Sequence, residues 1–270
     1  MTVSHLVTGD GPPLLLLNGG LMSMAAWDAI LPAFTASYRV IRCDFRGQLL
    51  SPGEPPPDFA GHAADLVALL DSLALPSAHV VGVSFGALVG IVLAATAPAR
   101  VRSLVALNAT DHMTAEMDAG SQAIAAACRE ALQGGDPGRV MDLVNPVTWS
   151  PAFLEAQAAA LAARRRAVGL LPPAWFSGLE RLGQSLVGLD VRPLLPAITA
   201  PTLVMGGDED RTFPVEHARA LAGHIPGARL VTIAGGSHAM ILESAATVIP
   251  HILEFVAAAE SARGGDAGSL

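Results

Sequence analysis

Residues 79–86 read His-Val-Val-Gly-Val-Ser-Phe-Gly, where a short apolar run ends in a glycine-bracketed serine and a helical pattern begins. Residues 82–86 match the pattern Gly-x-Ser-x-Gly, in which a sharp strand-to-helix turn exposes the serine hydroxyl. Small flanking residues permit so tight a turn, and the positive end of the next helix favours negative charge at the serine. We therefore expect a nucleophilic Ser84, with an ordinary glycine-rich turn as the alternative interpretation.

Similar apolar runs recur along the chain and alternate with helical patterns. The apolar runs are residues 14–17, 39–43, 79–83, 101–107, 202–205 and 229–233. Continuous apolar runs are typical of strands covered on both faces, as in a parallel sheet. Helical patterns occupy residues 24–34, 59–73, 85–95, 215–222 and 239–259. This alternation predicts the α/β class, with a doubly wound and mostly parallel sheet.

The alternation stops between residues 111 and 199, which show alanine-rich helical pattern and no convincing strand. Such a segment is too long for a simple connection, so we expect a helical cap inserted between two core strands. The predicted core is then formed by residues 1–110 and 200–260. The Gly/Ala/Ser/Asp tail 261–270 is expected to be disordered.

Composition excludes several classes of partner. The chain has 270 residues, 51% of them hydrophobic and 15% charged, with a formal charge of −8 and no lysine. Nucleic acids and anionic membrane surfaces require clustered positive charge, so neither is an expected partner. The arginine triplet 164–166 is the local exception. We favour a solvated helix face for it, with a clamp for a substrate carboxylate as the alternative.

Metal, membrane and export signals are weak in this sequence. Cys43 and Cys128 belong to no Cys/His cluster and the eight histidines lack metal-ligand spacing, so we expect reduced thiols, no metal and no cofactor. Residues 80–97 are uncharged, but a strand entering a buried helix explains them better than a membrane span. No signal-peptide pattern is visible, and a cytoplasmic protein is expected, either monomer or homodimer.

Two later loops carry the residues that would activate Ser84. His238 follows the last predicted strand on the glycine-rich loop 235–238, where a histidine can reach the carboxyl edge of the sheet and act as a base. The loop 207–214 supplies Asp210, which would orient His238. Asp208, Glu209 and the more distant Asp111 are the competing carboxylates.

In its order of serine, acid and histidine, and in its strand positions, the chain resembles the α/β-hydrolases from Leu14 to about Phe255. The resemblance implies that Asp210 is the acid, because residues 207–214 fit the family pattern Gly-x-x-Asp-x-x-x-Pro. It also implies an oxyanion hole built from the backbone N–H groups of Gly20 and Phe85. Glu243 matches a family position that is structural.

The chain departs from the family pattern at two places. Asn18 stands where the family usually has histidine, next to the expected oxyanion donor. Leu49 replaces a glycine in the loop 44–51, which we expect to shape the sheet edge and not the chemistry. Neither departure removes a residue of the expected triad.

The residues present favour acyl transfer to water. Aspartate-nucleophile chemistries need a different residue at position 84, lyases of this family use a lysine that is absent, and Val83 disfavours C–C bond hydrolysis. Overall, the chain is similar to 3-oxoadipate enol-lactonase-like hydrolases and small carboxylesterases. We therefore predict a carboxylesterase for small or medium acyl groups, with a small-molecule ester as its substrate. A lactonase, a C–C hydrolase and a non-catalytic ligand-binding member of the fold remain as alternatives.

An apolar pocket is expected where the cap faces Ser84. Its candidate lining residues are Leu21, Met113, Trp149, Trp175 and Phe176. Apolar residues at such spacing also form the cores of helical lobes, which is the competing interpretation for each of them.

Overall fold

One sheet forms the centre of the molecule. The computed structural model describes residues 3–49, 51 and 53–267. Within them, seven strands pair in the order β1-β3-β2-β4-β5-β6-β7. These strands are β1 (His5–Thr8), β2 (Pro13–Leu17), β3 (Arg39–Cys43), β4 (Ala78–Val83), β5 (Val101–Leu107), β6 (Thr202–Gly207) and β7 (Arg229–Ile233). The pairing confirms the predicted doubly wound sheet, which is parallel except where β1 lies antiparallel to β3.

The order of the strands places a crevice between β2 and β4. The chain runs from β2 to β3 on one side and then crosses to β4 on the other, so the loops after β2 and β4 separate. Leu17 pairs with Gly82 at the carboxyl ends of these two strands. In open α/β sheets ligands bind at such a switch point, outside the carboxyl ends.

Helices cover both faces of the sheet and supply the insertion. The helices are α1 (Leu31–Thr35), α2 (Phe59–Ser72), α3 (Phe85–Thr96), α4 (Ala115–Leu132), α5 (Arg139–Thr148), α6 (Pro151–Ala156), α7 (Ala158–Val168), α8 (Pro173–Leu186), α9 (Val215–His224), α10 (Met240–Glu243) and α11 (Ala245–Ala267). Side chains of α2, α3 and α9 form the apolar core on one face of the sheet. Those of α1, α10 and α11 form the core on the other face.

The uncharged segment 80–97 divides into β4 and the almost completely buried helix α3. No helix among the described residues is long and apolar enough to span a bilayer. The apolar length of this segment therefore reflects burial on all sides of β4 and α3.

Five helices, α4 to α8, lie between β5 and β6 in the segment expected to form a cap. They enclose an apolar core of their own, formed by Ala127, Cys128, Val140, Met141, Val144, Val168, Phe176 and Leu179. The two ends of the segment meet in an isolated bridge between His112 and Asp190. A cluster of this kind, closed at its root, is what an inserted helical lobe requires.

Three sequence expectations differ from the structure in their bounds. The helix expected over 24–34 is a 3₁₀ turn at Met24–Trp27 followed by α1, and the strand β1 was not expected. The helix over 239–259 breaks at Ser244 into α10 and α11. The segment 261–270 was expected to be disordered, whereas α11 continues to Ala267. Residues 268–270 lie outside the described residues.

A buried histidine packs beneath the turn that carries Ser84. His62 on α2 is fully buried, and neither of its ring nitrogens has a hydrogen-bond partner among the described residues. Its ring lies edge-on to Phe45 and Phe85, with centroids 5.4 Å and 5.2 Å away. Burial lowers the pKa of His62 to about 4 from an ordinary 6.5, against the opposing pull of Asp65. His62 is therefore neutral in the folded protein near neutral pH.

We expect His62 to weaken the fold in acid. Below about pH 6.5 the histidine is protonated in the unfolded chain but stays neutral in the folded protein. The free energy of unfolding therefore falls as the pH drops from about 6.5 to about 4. The loss reaches about 3 kcal/mol at most. Thermal melting of His62→Phe should show a smaller loss of Tm over this range than the wild type.

The exposed helical histidine His251 provides the matched control, since His251→Gln should melt with the wild-type pH dependence. Equal slopes of Tm against pH in the wild type and His62→Phe would contradict this account of the buried imidazole.

Candidate active site

Ser84 occupies a strained turn between β4 and α3. Its backbone lies at φ +52° and ψ −117°, a conformation that side-chain-bearing residues rarely adopt. Its N–H donates to the carbonyl oxygen of Leu107 at 2.9 Å, which ties the turn to the end of β5. A Cβ at Gly86 would lie 2.5 Å from the carbonyl oxygens of Leu17 and Asn18, so only glycine lets α3 begin this close to β2.

His238 reaches Ser84 from the loop after β7. Its Nε2 lies 2.9 Å from the Oγ of Ser84, a hydrogen-bond distance. The loop packs closely on the end of β6, where a Cβ at Gly207 would lie 2.0 Å from the carbonyl oxygen of Gly236. These two glycines bring the histidine loop and the loop after β6 into backbone contact.

Asp210 lies on the far side of the imidazole. The Nδ1 of His238 is 2.8 Å from its Oδ2 and 3.1 Å from its Oδ1. The carboxylate is fully buried and also accepts backbone N–H bonds from Thr212 at 2.8 Å and Phe213 at 2.9 Å. Such bonds fix the carboxylate, which in turn fixes the tautomer that leaves Nε2 free to accept a proton from Ser84.

Asn108 is a further partner of Asp210 that sequence reasoning missed. It follows β5 directly, at φ +50°, and its Nδ2 donates to the Oδ2 of Asp210 at 2.7 Å and to the Ser237 carbonyl at 3.3 Å. One amide thereby joins the aspartate loop to the histidine loop. Its position at the carboxyl end of a buried strand is the signal that could have identified it.

The competing carboxylates have other partners. Asp208 accepts from the N–H of Gly235 at 2.7 Å, and Glu209 is exposed. Asp111 pairs with His112 and His224. Of the four acids weighed from the sequence, Asp210 is the one in hydrogen-bond contact with His238.

Glu243 stabilises the loop 235–238, which carries His238. Its Oε1 accepts from the Ser237 hydroxyl at 2.9 Å and from the N–H of Ser150 at 3.0 Å. The N–H of Ala239 also donates to the Thr148 carbonyl at 3.0 Å. The segment beside His238 is thus held against the α5–α6 region of the cap.

Gly20 and Phe85, the two residues expected to supply the oxyanion donors, lie beside Ser84. Gly20 and Phe85 both line cavity space next to the serine, and a Cβ at Gly20 would lie 3.9 Å from that of Phe85. Among the described residues, neither N–H donates to an internal acceptor. Two unpaired donors beside the serine hydroxyl suit the binding of an oxyanion.

A buried polar network holds the peptide that carries the Gly20 N–H. The Nδ2 of Asn18 donates to the carbonyl of Cys43 and to the Oδ1 of Asp44, each at 2.9 Å. The Nε2 of Gln48 donates to the Gly19 carbonyl at 2.8 Å, and the Oε1 of Gln48 accepts from the N–H of Phe45 at 3.0 Å. The carbonyl of Gly19 belongs to the same trans peptide as the Gly20 N–H, so the bond from Gln48 directs that N–H the opposite way.

The loop 44–51, which was expected to shape the sheet edge and not the chemistry, also contacts the loop after β2. Gln48 lies next to Leu49, the departure from the family pattern, and its side chain contacts the loop that holds the Gly20 amide. A sequence motif shows the loop but not the direction of a single side chain within it.

Two cavities meet at Ser84. The smaller has a volume of about 440 Å³ and the larger about 670 Å³. Both are lined by Gly20, Leu21, Ser84, Val144, Thr148 and His238. Of the residues expected in the pocket, Leu21 lines both, Trp149 lines the smaller and Met113 lines the larger. The smaller cavity also includes Arg164.

Trp175 and Phe176 were expected in the pocket, but they line neither of these two cavities. Phe176 is buried within the apolar core of the cap, and Trp175 packs against that core. Leu179, three residues further along α8, belongs to the same apolar core but also lines the larger cavity, so α8 reaches the substrate space through Leu179 and not through Phe176.

Three known proteins are similar to this chain in sequence or in fold. A protein of Variovorax paradoxus (strain S110), provisionally named carbamate hydrolase RutD, is 33% identical over 260 residues, which cover 92% of each chain. The malate-bound structure of a thermophilic esterase from Thermogutta terrifontis is 25% identical, with a TM-score of 0.81 and coverage of 95% of this chain and 93% of that one. An enol-lactonase from Burkholderia xenovorans LB400 shares the fold, with a TM-score of 0.83, 24% identity and coverage of 94% and 96%.

The family comparison covers the residues of the site. A family model described as the alpha/beta hydrolase fold matches residues 12–245, a range that includes Gly20, Ser84, Asp210 and His238. Together with the 33% identity of the relative, this match shows that the chain belongs to the α/β-hydrolase family.

Proposed function

We propose that this chain is a serine hydrolase that cleaves carboxylic esters of small to medium acyl groups through an acyl-enzyme on Ser84. The observation that carries the proposal is the continuous chain of hydrogen bonds from Asp210 through His238 to Ser84. A protein that only binds a ligand has no need of all three groups in this contact.

In the first half of the reaction, the Oγ of Ser84 attacks the ester carbonyl carbon while the Nε2 of His238 takes its proton. The N–H groups of Gly20 and Phe85 stabilise the oxyanion that forms. The carbon–oxygen bond to the alcohol then breaks, and His238 returns the proton to the leaving oxygen. An acyl group remains on Ser84.

In the second half, water attacks the acyl carbon and His238 takes the proton of that water. The tetrahedral intermediate collapses, the proton passes back to the Oγ of Ser84, and the carboxylic acid is released. The fully buried carboxylate of Asp210 stabilises the imidazolium that forms in each half.

The two cavities support substrates with groups on both sides of the scissile bond. Since Ser84 lines both, the acyl group can occupy one while the alcohol occupies the other. Their lining near the serine is largely aliphatic, with Leu21, Met113 and Val144 among the members, which favours uncharged substituents. The esterase named among the solved relatives lends this proposal further support.

Arg164 favours a second candidate, a lactonase or esterase for substrates that carry a carboxylate. Its neighbour Arg165 pairs with Asp136 and with Asp142, whereas Arg164 lines the smaller cavity. A guanidinium in a cavity that the nucleophile also lines would favour an anionic group on the substrate.

A carbamate is a third substrate class, favoured by the name of the Variovorax relative. Its carbonyl can be attacked by Ser84 in the same way, which leaves a carbamoyl group on the serine. Carbamates therefore belong in the same assay as esters.

Hydrolysis of p-nitrophenyl esters of increasing acyl length tests the proposal. The wild type should turn over these esters with an optimum at short or medium chains, because the cavities are finite. Ser84→Ala should lower kcat/KM by about 10⁴-fold or more, since the nucleophile is removed. Its Tm should stay close to that of the wild type.

Three outcomes of this assay would count against the proposal. Equal ester turnover by Ser84→Ala would remove Ser84 as nucleophile. A strong preference for a monoester with a terminal carboxylate, lost in Arg164→Gln, would favour the second candidate. Faster multiple turnover of phenyl carbamate than of any ester would favour the carbamate class.

Gln48 provides a test of the oxyanion site. Gln48→Met keeps the side-chain length but cannot donate to the Gly19 carbonyl, so the Gly20 N–H should lose its fixed direction. We expect kcat for the best ester to fall by about tenfold, less than the loss of a whole oxyanion donor, with KM little changed.

The neighbouring exposed residue Leu49 supplies the control, because Leu49→Ala removes a side chain that is 44% exposed. It should leave both constants near their wild-type values. Wild-type kcat in Gln48→Met would show that the Gly19–Gly20 peptide does not depend on Gln48.

A further inference from the structure

A cluster of histidines surrounds a buried carboxylate where the chain leaves the core for the cap. Its members are Asp111 and His112, just after β5, and His217 and His224 on α9. We call these four residues the cap-root cluster. His217 and His224 are seven positions apart on α9 and so lie on one face of that helix. The cluster therefore joins the first residues of the cap to a helix of the core.

The carboxylate of Asp111 lies between two of the imidazoles. It is 1% exposed, with Oδ1 2.8 Å from the Nδ1 of His112 and Oδ2 2.9 Å from the Nδ1 of His224. Thr110 faces the third imidazole, with its Oγ1 3.0 Å from the Nδ1 of His217. The rings of His112 and His217 are tilted against each other with centroids 5.6 Å apart.

Three residues of the cap-root cluster bring possible metal-ligating atoms close to one another. One ligand atom from each of Asp111, His112 and His217 lies within 4.8 Å of the other two. Two imidazoles and a carboxylate form a ligand set that suits Zn²⁺, which binds such groups at about 2.0–2.2 Å. In a tetrahedral zinc site two ligand atoms are about 3.4 Å apart, so these ligand atoms must approach one another by up to about 1.4 Å. The His112 side chain is 33% exposed, so it is less enclosed than the buried Asp111 beside it.

The neighbours of these ligands suit an outer shell. A metal-bound histidine usually donates its second ring N–H to an oxygen, which fixes its orientation. The hydroxyl of Thr110 is within reach of the Nδ1 of His217, which leaves the Nε2 of that ring for an ion. The second oxygen of Asp111 is held by His224.

We propose that Asp111, His112 and His217 bind one divalent transition-metal ion, for which Zn²⁺ is the best-matched probe. The site is distinct from the triad, although His217 and Met113 also line the larger cavity at Ser84. An ion held here would link the root of the cap to α9 beside the substrate space. The spacing of histidines along the chain does not predict it, because His217 follows Asp111 and His112 by more than a hundred residues.

Isothermal titration of the chelator-stripped protein with ZnCl₂ tests the proposal. We expect one Zn²⁺ per chain, with His112→Gln and His217→Gln each weakening Kd at least tenfold. Both substitutions replace partly exposed side chains, and a melting curve of each variant checks that it is folded. Mg²⁺ in excess should not compete, because it prefers an all-oxygen shell.

His238→Gln is the control that separates this site from the triad. Binding of Zn²⁺ at His238 and Asp210 instead would be lost in His238→Gln, whereas under our proposal His238→Gln binds the ion as the wild type does. The proposal is overturned if folded wild type binds no stoichiometric Zn²⁺, or if His238→Gln removes the binding that His112→Gln and His217→Gln retain.

Discussion

The arrangement of the site depends on the close approach of the turn after β4 to the end of β2. Gly86 has room for no side chain, because the carbonyl oxygens of Leu17 and Asn18 lie where its Cβ would be. This contact lets α3 begin at once and leaves Ser84 in a conformation that is costly for a serine. The strands β2, β4 and β5, which are almost completely buried, supply the packing that holds the strained turn.

The same approach places the two expected oxyanion donors. Since β2 and β4 are neighbours, the loop that follows β2 lies beside the first residue of α3. Gly20 and Phe85 thus come from segments more than sixty residues apart and meet next to Ser84. Gln48, from a third segment, fixes the peptide between Gly19 and Gly20. A similar closeness of β6 and β7, at Gly207 and Gly236, brings Asp210 to His238.

The sequence predicted the parts of this arrangement that local patterns carry. The alternation of strands and helices predicts the sheet, and the short motifs that contain Ser84, Asp210 and His238 each lie at or shortly after the end of a strand. Parallel strands bring such positions to one edge, so the meeting of the three side chains follows from the fold.

The parts that were missed depend on contacts between distant segments. Asn108 and Gln48 act through the direction of one side chain, which no spacing rule predicts. The cap-root cluster joins residues on either side of the insertion. Its members come together only in the folded chain, so the sequence alone does not predict the cluster. Trp175 and Phe176 were assigned to the pocket, but they pack in or against the core of the cap. The sequence pattern of an apolar residue is the same whether it faces that core or the substrate space.

The central claim is that Ser84 is activated by His238, and covalent labelling with a fluorophosphonate tests it most directly. The protein is incubated with the probe and the modified peptide is identified by mass spectrometry, with His238→Ala treated in parallel. The account predicts a single adduct at Ser84 in the wild type and labelling slower by about 10³-fold or more in His238→Ala. Labelling at another residue, no labelling, or an equal rate in His238→Ala would contradict it.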